Sequence, residues 1–267
     1  MSLSKRLDEA RQAFAERDMD AAARAHDPNR IHNEQHGGSE SEYLGSMVYG
    51  GLDGIITTFA VVSGVAGAQL SPGIILILGL ANLFGDGFSM ATGAYLSSKS
   101  DQEYYERERA REAWEVENFP DGERAELIAL YLEQGYPQED AEKLVEIKSR
   151  DPERWVDAMM VDELNMLPDN RSPLMEGLVT LGAFVIAGAV PLLYYLLDLV
   201  FHFNLPGAGP FLVSTGLSGL ALFGLGASKV LVTGRSVFRS GLEMLVVGGL
   251  AAAVAFLVGA LLKGLGG

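Results

Sequence analysis

Four carboxylates, Asp53, Asp86, Glu176 and Glu243, stand inside long apolar stretches of the chain. An ionised group at the centre of a bilayer-spanning helix costs about 2.5–3.5 kcal/mol unless it faces a cavity or a partner, so each is a candidate for function. Asp53 lies in Gly50-Gly51-Leu52-Asp53-Gly54 and Asp86 in Gly85-Asp86-Gly87-Phe88-Ser89-Met90. The flanking glycines leave room for an ion or a neighbouring backbone beside each carboxylate. Asp86 and Met90 are four residues apart and share a helical face. A hard oxygen beside a soft thioether suits a borderline transition ion better than Ca²⁺ or Mg²⁺. Glu176 and Glu243 fall nearer the ends of their stretches, as do Asp198 and Lys229.

A second group lies between residues 99 and 171, where 21 Asp and Glu face 10 Lys and Arg. Here Glu-x-x-Glu recurs at Glu103/Glu106, Glu112/Glu115, Glu123/Glu126 and Glu139/Glu142. Residues three apart share a helical face, so each pair can offer two oxygens to one cation. Any one such pair in a charged helix is most simply a solvated face. Met159-Met160-Val161-Asp162-Glu163 is less ordinary, because Met159, Met160 and Glu163 fall on one side of a helix and again mix thioether with carboxylate. The segment holds no histidine, which argues against a ferritin-like Glu-x-x-His centre. His26, His32 and His36 sit in a polar, glycine-containing segment that reads as a solvated loop.

The elements that must position these residues are helices. Of 267 residues 48% are hydrophobic, and five nearly uncharged runs, 47–70, 72–96, 174–200, 211–232 and 242–262, approach or exceed the roughly 20 residues that cross a bilayer. The sequence therefore predicts an all-α, polytopic membrane protein with five transmembrane helices and a helical cytoplasmic domain between the second and third. Its expected divisions are an amphipathic N-terminal helix and polar linker over 1–42, spans one and two over 43–98, an acidic metal-binding domain over 99–171 and spans three to five over 172–267. The N-terminal helix carries Leu3, Leu7, Ala10 and Phe14 at helical spacing, and has no apolar core or cleavage site of a signal peptide. Basic residues avoid the turns at 69–72 and 198–210, whereas Lys229, Arg235 and Arg239 occupy the turn before the fifth span. That asymmetry puts the N-terminus and residues 99–171 in the cytoplasm. Ala81, Gly85, Ser89 and Gly93 form a small-residue ladder that lets helices approach closely in lipid. A formal charge of −15 leaves little to neutralise phosphates, so nucleic acid is excluded as a partner, and the absence of cysteine excludes thiolate chemistry and disulfides.

Within 99–171 the first helix is expected to run from the second span to residue 119, stopped by Pro120. A second spans about 122–134 and ends at Gly135. A third starts near Pro137, and a fourth is opened by Asp151-Pro152 and runs to about residue 167.

Gly51-Leu52-Asp53-Gly54-Ile55-Ile56-Thr57-Thr58, Asp86-Gly87-Phe88-Ser89-Met90-Ala91 and the glutamate-rich insert together resemble the vacuolar iron transporter family, over about residues 43–263. The resemblance implies a five-span homodimer, a secondary transporter rather than an enzyme, that exports Fe²⁺ from the cytosol in exchange for protons. It implies an integral membrane location, the inner membrane of a bacterium or the vacuolar membrane of a eukaryote. Asp53 and Met90 resemble the family's translocation ligands. Glu112, Glu115, Glu123, Glu126, Met159, Met160 and Glu163 resemble its cytoplasmic metal set. Many members carry Gly-Glu after the Ser-Met-Ala motif where this chain has Gly93-Ala94. No prosthetic group is expected; Fe²⁺, with Mn²⁺, Co²⁺ and Zn²⁺, enters as substrate and domain ligand. An alternative is a membrane-anchored iron-binding or ferroxidase protein, and a third is a metal sensor that signals through the spans. Carboxylates inside the spans speak against the anchored reading, since an anchor needs none.

Overall fold

The computed structural model describes residues 5–25, 43–203, 205–228 and 236–265, and these contain helices and turns but no strand. The three candidate histidines, Lys229 and Arg235 lie outside the described residues. The chain divides into two compact units, Met1–Gly93 with Leu174–Gly267, and Ala94–Pro173.

In the first unit the N-terminal segment forms two helices rather than one, α1 (Lys5–Glu16) and α2 (Met19–Ala25). The break is local. Arg17 adopts a left-handed φ of 56°, and Asp18 Oδ1 accepts the Asp20 and Ala21 N–H groups at 2.9 and 3.0 Å, capping α2. Five helical stretches are then long and apolar enough to cross a membrane. They are α3 (Leu44–Gly67), α4 (Pro72–Asn118), a run from Pro173 to Phe201, and two more described below. The run Pro173–Phe201 is not continuous. It comprises α8 (Pro173–Gly188), a 3₁₀ turn at Val190–Leu192 and α9 (Leu193–Phe201). Pro191 has no N–H to continue an α-helical ladder, and the Ser214 hydroxyl donates to its carbonyl at 2.6 Å, tying the break to the next spanning helix. Ser214 belongs to α10 (Gly209–Ser228), and α11 (Val237–Leu262) completes the set.

Helix α3 is held on two sides by contacts that only glycine permits. A Cβ on Gly50 would stand 2.7 Å from the Thr180 carbonyl oxygen, and one on Gly54 would collide with the Phe184 carbonyl, both on α8. Toward the other end, a Cβ on Gly67 would strike the Phe256 carbonyl of α11, and one on Gly259 the Gly64 carbonyl of α3. Close backbone approach of this kind gives van der Waals packing that lipid cannot supply. Around it Val62, Leu83, Phe184, Leu192 and Tyr195 are buried together.

The second unit begins within α4, at Ala94. Pro120 opens α5 (Pro120–Glu133), and Gly135, with φ of 95°, ends it. Its last turn closes by Gly135 N–H to the Leu132 carbonyl and Tyr136 N–H to the Tyr131 carbonyl, each 3.0 Å. Helices α6 (Gln138–Lys148) and α7 (Pro152–Ala158) follow, the latter capped by Asp151, whose Oδ1 accepts the Glu153 N–H at 3.0 Å. The α-helical pattern stops at Ala158, earlier than the expected residue 167. Met159–Glu163 forms a π-helical turn, with the Leu164 N–H reaching back five residues to the Met159 carbonyl at 3.1 Å. Leu127, Tyr131, Val145, Trp155, Met159 and Met160 make the core of this unit.

We predict that Gly259→Val lowers the thermal midpoint of the protein in detergent by roughly 5–10 °C, the overpacking cost of about 1–3 kcal/mol. Gly249→Ala on the same helix, where a methyl group meets open space, should leave the midpoint within about 2 °C.

Candidate metal-binding sites

Asp53 is half-buried on α3, one residue before the Gly54 crossing with Phe184, so its backbone is fixed by the tightest part of the bundle. Its carbonyl accepts the Thr57 hydroxyl at 2.8 Å, leaving the carboxylate as the group that addresses the surroundings. Asp86, on α4, lies close enough for its charge to act on Asp53. Asp86 itself is exposed in the single chain, along with Ala81, Gly85, Ser89 and Gly93. The small-residue ladder is therefore an open face of α4. Met90 is half-buried and packs against the Val62–Phe184 cluster. Glu176 is buried on α8 and accepts the Ser46 hydroxyl of α3, whereas Glu243 is exposed on α11.

In the acidic unit, two of the four Glu-x-x-Glu pairs come together and two do not. Glu103 and Glu139 are exposed and pair with Lys99 at 3.6 Å and Lys143 at 2.6 Å, one helical turn away, and Glu142 accepts from Gln138. Glu106 is exposed as well. These are solvated faces. By contrast Glu112, Glu115 and Glu123 offer carboxylate oxygens within 4.8 Å of one another, and so do Glu123, Glu126 and Glu163. Glu123 belongs to both triads, so five carboxylates from α4, α5 and the π turn form one continuous cluster.

Burial makes this crowding costly. Glu112 is 1% exposed and Glu123 5%, and Glu123 Oε2 accepts no hydrogen bond among the described residues. Desolvation pushes the Glu112 carboxyl up from 4.5 to about 7; Arg111 opposes the rise, and Glu163, Glu115 and Glu126 add to it. Glu123 also rises to about 7, first through desolvation and then through Glu112, Glu126, Glu115 and Glu163. Glu163 is raised too, by desolvation and by Glu126. A group of acids that resists ionisation next to its neighbours becomes fully charged when a cation takes the place of the missing countercharge.

Met159 and Met160 are both fully buried in the core of the acidic unit, within the same five-residue π turn that carries Glu163. Three residues that sequence reasoning passed over hold that turn. The Tyr131 hydroxyl donates to Asp162 Oδ2 at 2.5 Å, Lys148 pairs with the same carboxylate, and the Lys148 ammonium lies 5.2 Å from the Tyr131 ring centre. Asp162 is thus committed to Lys148 while its neighbour Glu163 faces the other acids. Arg111 was also passed over, although the sequence gives a signal: it stands three residues after Glu108 and four before Glu115, both helical contact distances.

The sequence model of the VIT family matches residues 44–260. A protein named Vacuolar iron transporter from Toxoplasma gondii is 37% identical over 96% of this chain and 88% of its own length. Its namesake from Plasmodium falciparum is 35% identical over 98% of both chains. Vacuolar iron transporter 1 of Arabidopsis thaliana is 32% identical over 84% of this chain and 88% of its own. With five apolar helices, an inserted acidic unit and matches of this extent, the chain belongs to the VIT family, that of the vacuolar iron transporters.

Proposed function

We propose that this protein carries Fe²⁺, and with it Mn²⁺, Co²⁺ and Zn²⁺, out of the cytosol in exchange for protons, as a homodimer in the inner membrane of a bacterium or the vacuolar membrane of a eukaryote. The observation that carries the reading is Asp86 on an open face of a spanning helix, near Asp53. A helix that only anchors an iron-binding or ferroxidase domain needs no carboxylate there, and one facing lipid is costly. A second copy laid against the ladder of Ala81, Gly85, Ser89 and Gly93 removes Asp86 from lipid and gives a path lined from two chains. Phe84 and Phe88, exposed at 60% and 69%, flank that face and add apolar area to the contact.

In this reading residues 99–171 lie in the cytoplasm. Hydrated cations are collected there by Glu112, Glu115, Glu123, Glu126 and Glu163, with Met159 and Met160 beside them. Translocation then takes the ion past Asp53, Asp86 and Met90, whose oxygen and sulfur donors favour a borderline ion over Mg²⁺. A proton on the aspartates from the far side competes with the metal and completes the exchange. Family membership and the names of the relatives support iron as the substrate.

We predict that in sealed proteoliposomes Fe²⁺ entry is accompanied by opposite proton movement, and that Asp53→Ala and Met90→Ala each reduce the rate at least tenfold while the protein still elutes as a folded species. Parent-like transport by Asp53→Ala would remove that residue from the path. Metal binding without any transport by the parent protein would favour the anchored ferroxidase or the sensor.

A pH dependence follows from the raised acids. Because Glu112 and Glu123 titrate near 7 rather than 4.5, the stability they contribute in the metal-free protein is fully present below about 4.5 and is lost as pH rises through 7. Metal binding must displace those protons, so affinity runs the opposite way and rises across the same window. Co²⁺ titrated into the detergent-solubilised protein should bind at least tenfold more tightly near pH 7.5 than near pH 5.5, with proton release measurable by calorimetry in buffers of different ionisation enthalpy. A flat profile would mean that Glu112 and Glu123 are not ligands.

A further inference from the structure

Arg111 borders the acidic cluster on its exposed side. Its Nε donates to Glu108 Oε2 at 3.0 Å and its Nη1 to Glu115 Oε2 at 2.5 Å. Its Nη2 stands 2.5 Å from Glu112 Oε1 without the angle of a hydrogen bond, so that contact is one of charge. Two of these three carboxylates, Glu112 and Glu115, form a triad with Glu123. The third, Glu108, belongs to neither carboxylate triad and is also held by Arg107, at 2.6 Å. The Arg111 side chain is 44% exposed, against 1% for Glu112, so the cation can leave the acids while the acids stay in place.

We propose that Arg111 is a built-in exchange cation: it neutralises Glu112 and Glu115 while the site is empty, withdraws from them onto Glu108 alone, which its Nε already holds, when a divalent metal takes those oxygens, and returns as the metal departs. This rests on the reading of the cluster as the capture site. A guanidinium 2.5 Å from one oxygen of each of two carboxylates competes with a doubly charged ion that ligates them, because the two cations repel at short range in a poorly hydrated site. Arginine suits the role because it stays charged at every relevant pH, so its displacement is driven by the metal alone. The effect is to weaken metal binding and to hasten release. A relay needs both, since a cluster of five unopposed carboxylates would hold a divalent ion rather than pass it on.

The test is Co²⁺ binding to the full-length protein in detergent, by calorimetry for affinity and by stopped-flow transfer to a chelator for release. Arg111→Gln should bind Co²⁺ roughly tenfold more tightly and release it correspondingly more slowly, a gain that loss of a merely structural arginine would not produce. Arg111→Lys keeps the charge and should stay within about threefold of the parent. Glu108→Gln removes the resting place of the displaced arm and should weaken binding by a factor of about three to ten, yet change nothing further in the Arg111→Gln background. That second variant keeps the test open should Arg111→Gln fold poorly. The control Glu112→Gln/Glu123→Gln must abolish the site under study. Binding in the parent that this control leaves untouched would overturn the capture reading and the inference with it. Binding that the control removes but that Arg111→Gln leaves equal or weaker would overturn the inference alone.

Discussion

Backbone contact without side chains between them is the constraint on which the membrane unit depends. Helix α3 meets α8 at Gly50 and Gly54 and α11 at Gly67 and Gly259, and at each of these glycines a single methyl group has nowhere to go. In lipid there is no hydrophobic gain from burying one apolar helix against another, so association has to come from packing of this kind. The arrangement also fixes the chemistry. Asp53 is adjacent to one of the crossings, so the position of its carboxylate is set by backbone rather than by loop conformation.

The acidic unit solves a different problem, that of holding like charges together. The three segments that carry its cluster also contribute to its core. Val116, Leu127, Met159 and Met160 belong to the buried core, and Glu112, Glu123 and Glu163 converge from the same segments. The π turn is the point where the two meet, since it places both methionines inside and Glu163 among the acids within five residues. Such turns are frequent at functional sites, where an extra residue per turn redirects side chains. Asp162, tied to Tyr131 and Lys148, keeps that register from relaxing to an ordinary helix.

Much of this was legible in the sequence. Apolar runs gave the five spans, Pro120, Gly135 and Asp151 gave the boundaries of the acidic helices, and motif order gave the family. What could not be read was whatever depended on neighbours distant in sequence. Nothing local distinguishes Glu112 and Glu123, which are buried, from Glu103 and Glu139, which are not; the difference is which face of each helix meets the Leu127–Trp155 core. The π turn was hidden because its alternative, a longer α-helix, satisfies the same local preferences. Pro191, inside the long apolar run at 174–200, is the local signal for the break in the third span. Asp86 and Met90 do share a helix, but the chain turns one outward and half-buries the other.

The two methionines of the π turn have a consequence for chemical durability. Ferrous iron in the presence of oxygen yields peroxide and radicals, and sulfur is their first target among side chains. This chain offers no thiol at all, and the thioethers of Met159 and Met160 are wholly enclosed. Oxidation of either would force a polar sulfoxide into a packed core, so damage there requires the unit to open first. Under the proposed function, a bound cation opposes that opening by relieving the repulsion among the five carboxylates. On that reading, the ion that generates the oxidant also keeps closed the structure that the oxidant would attack.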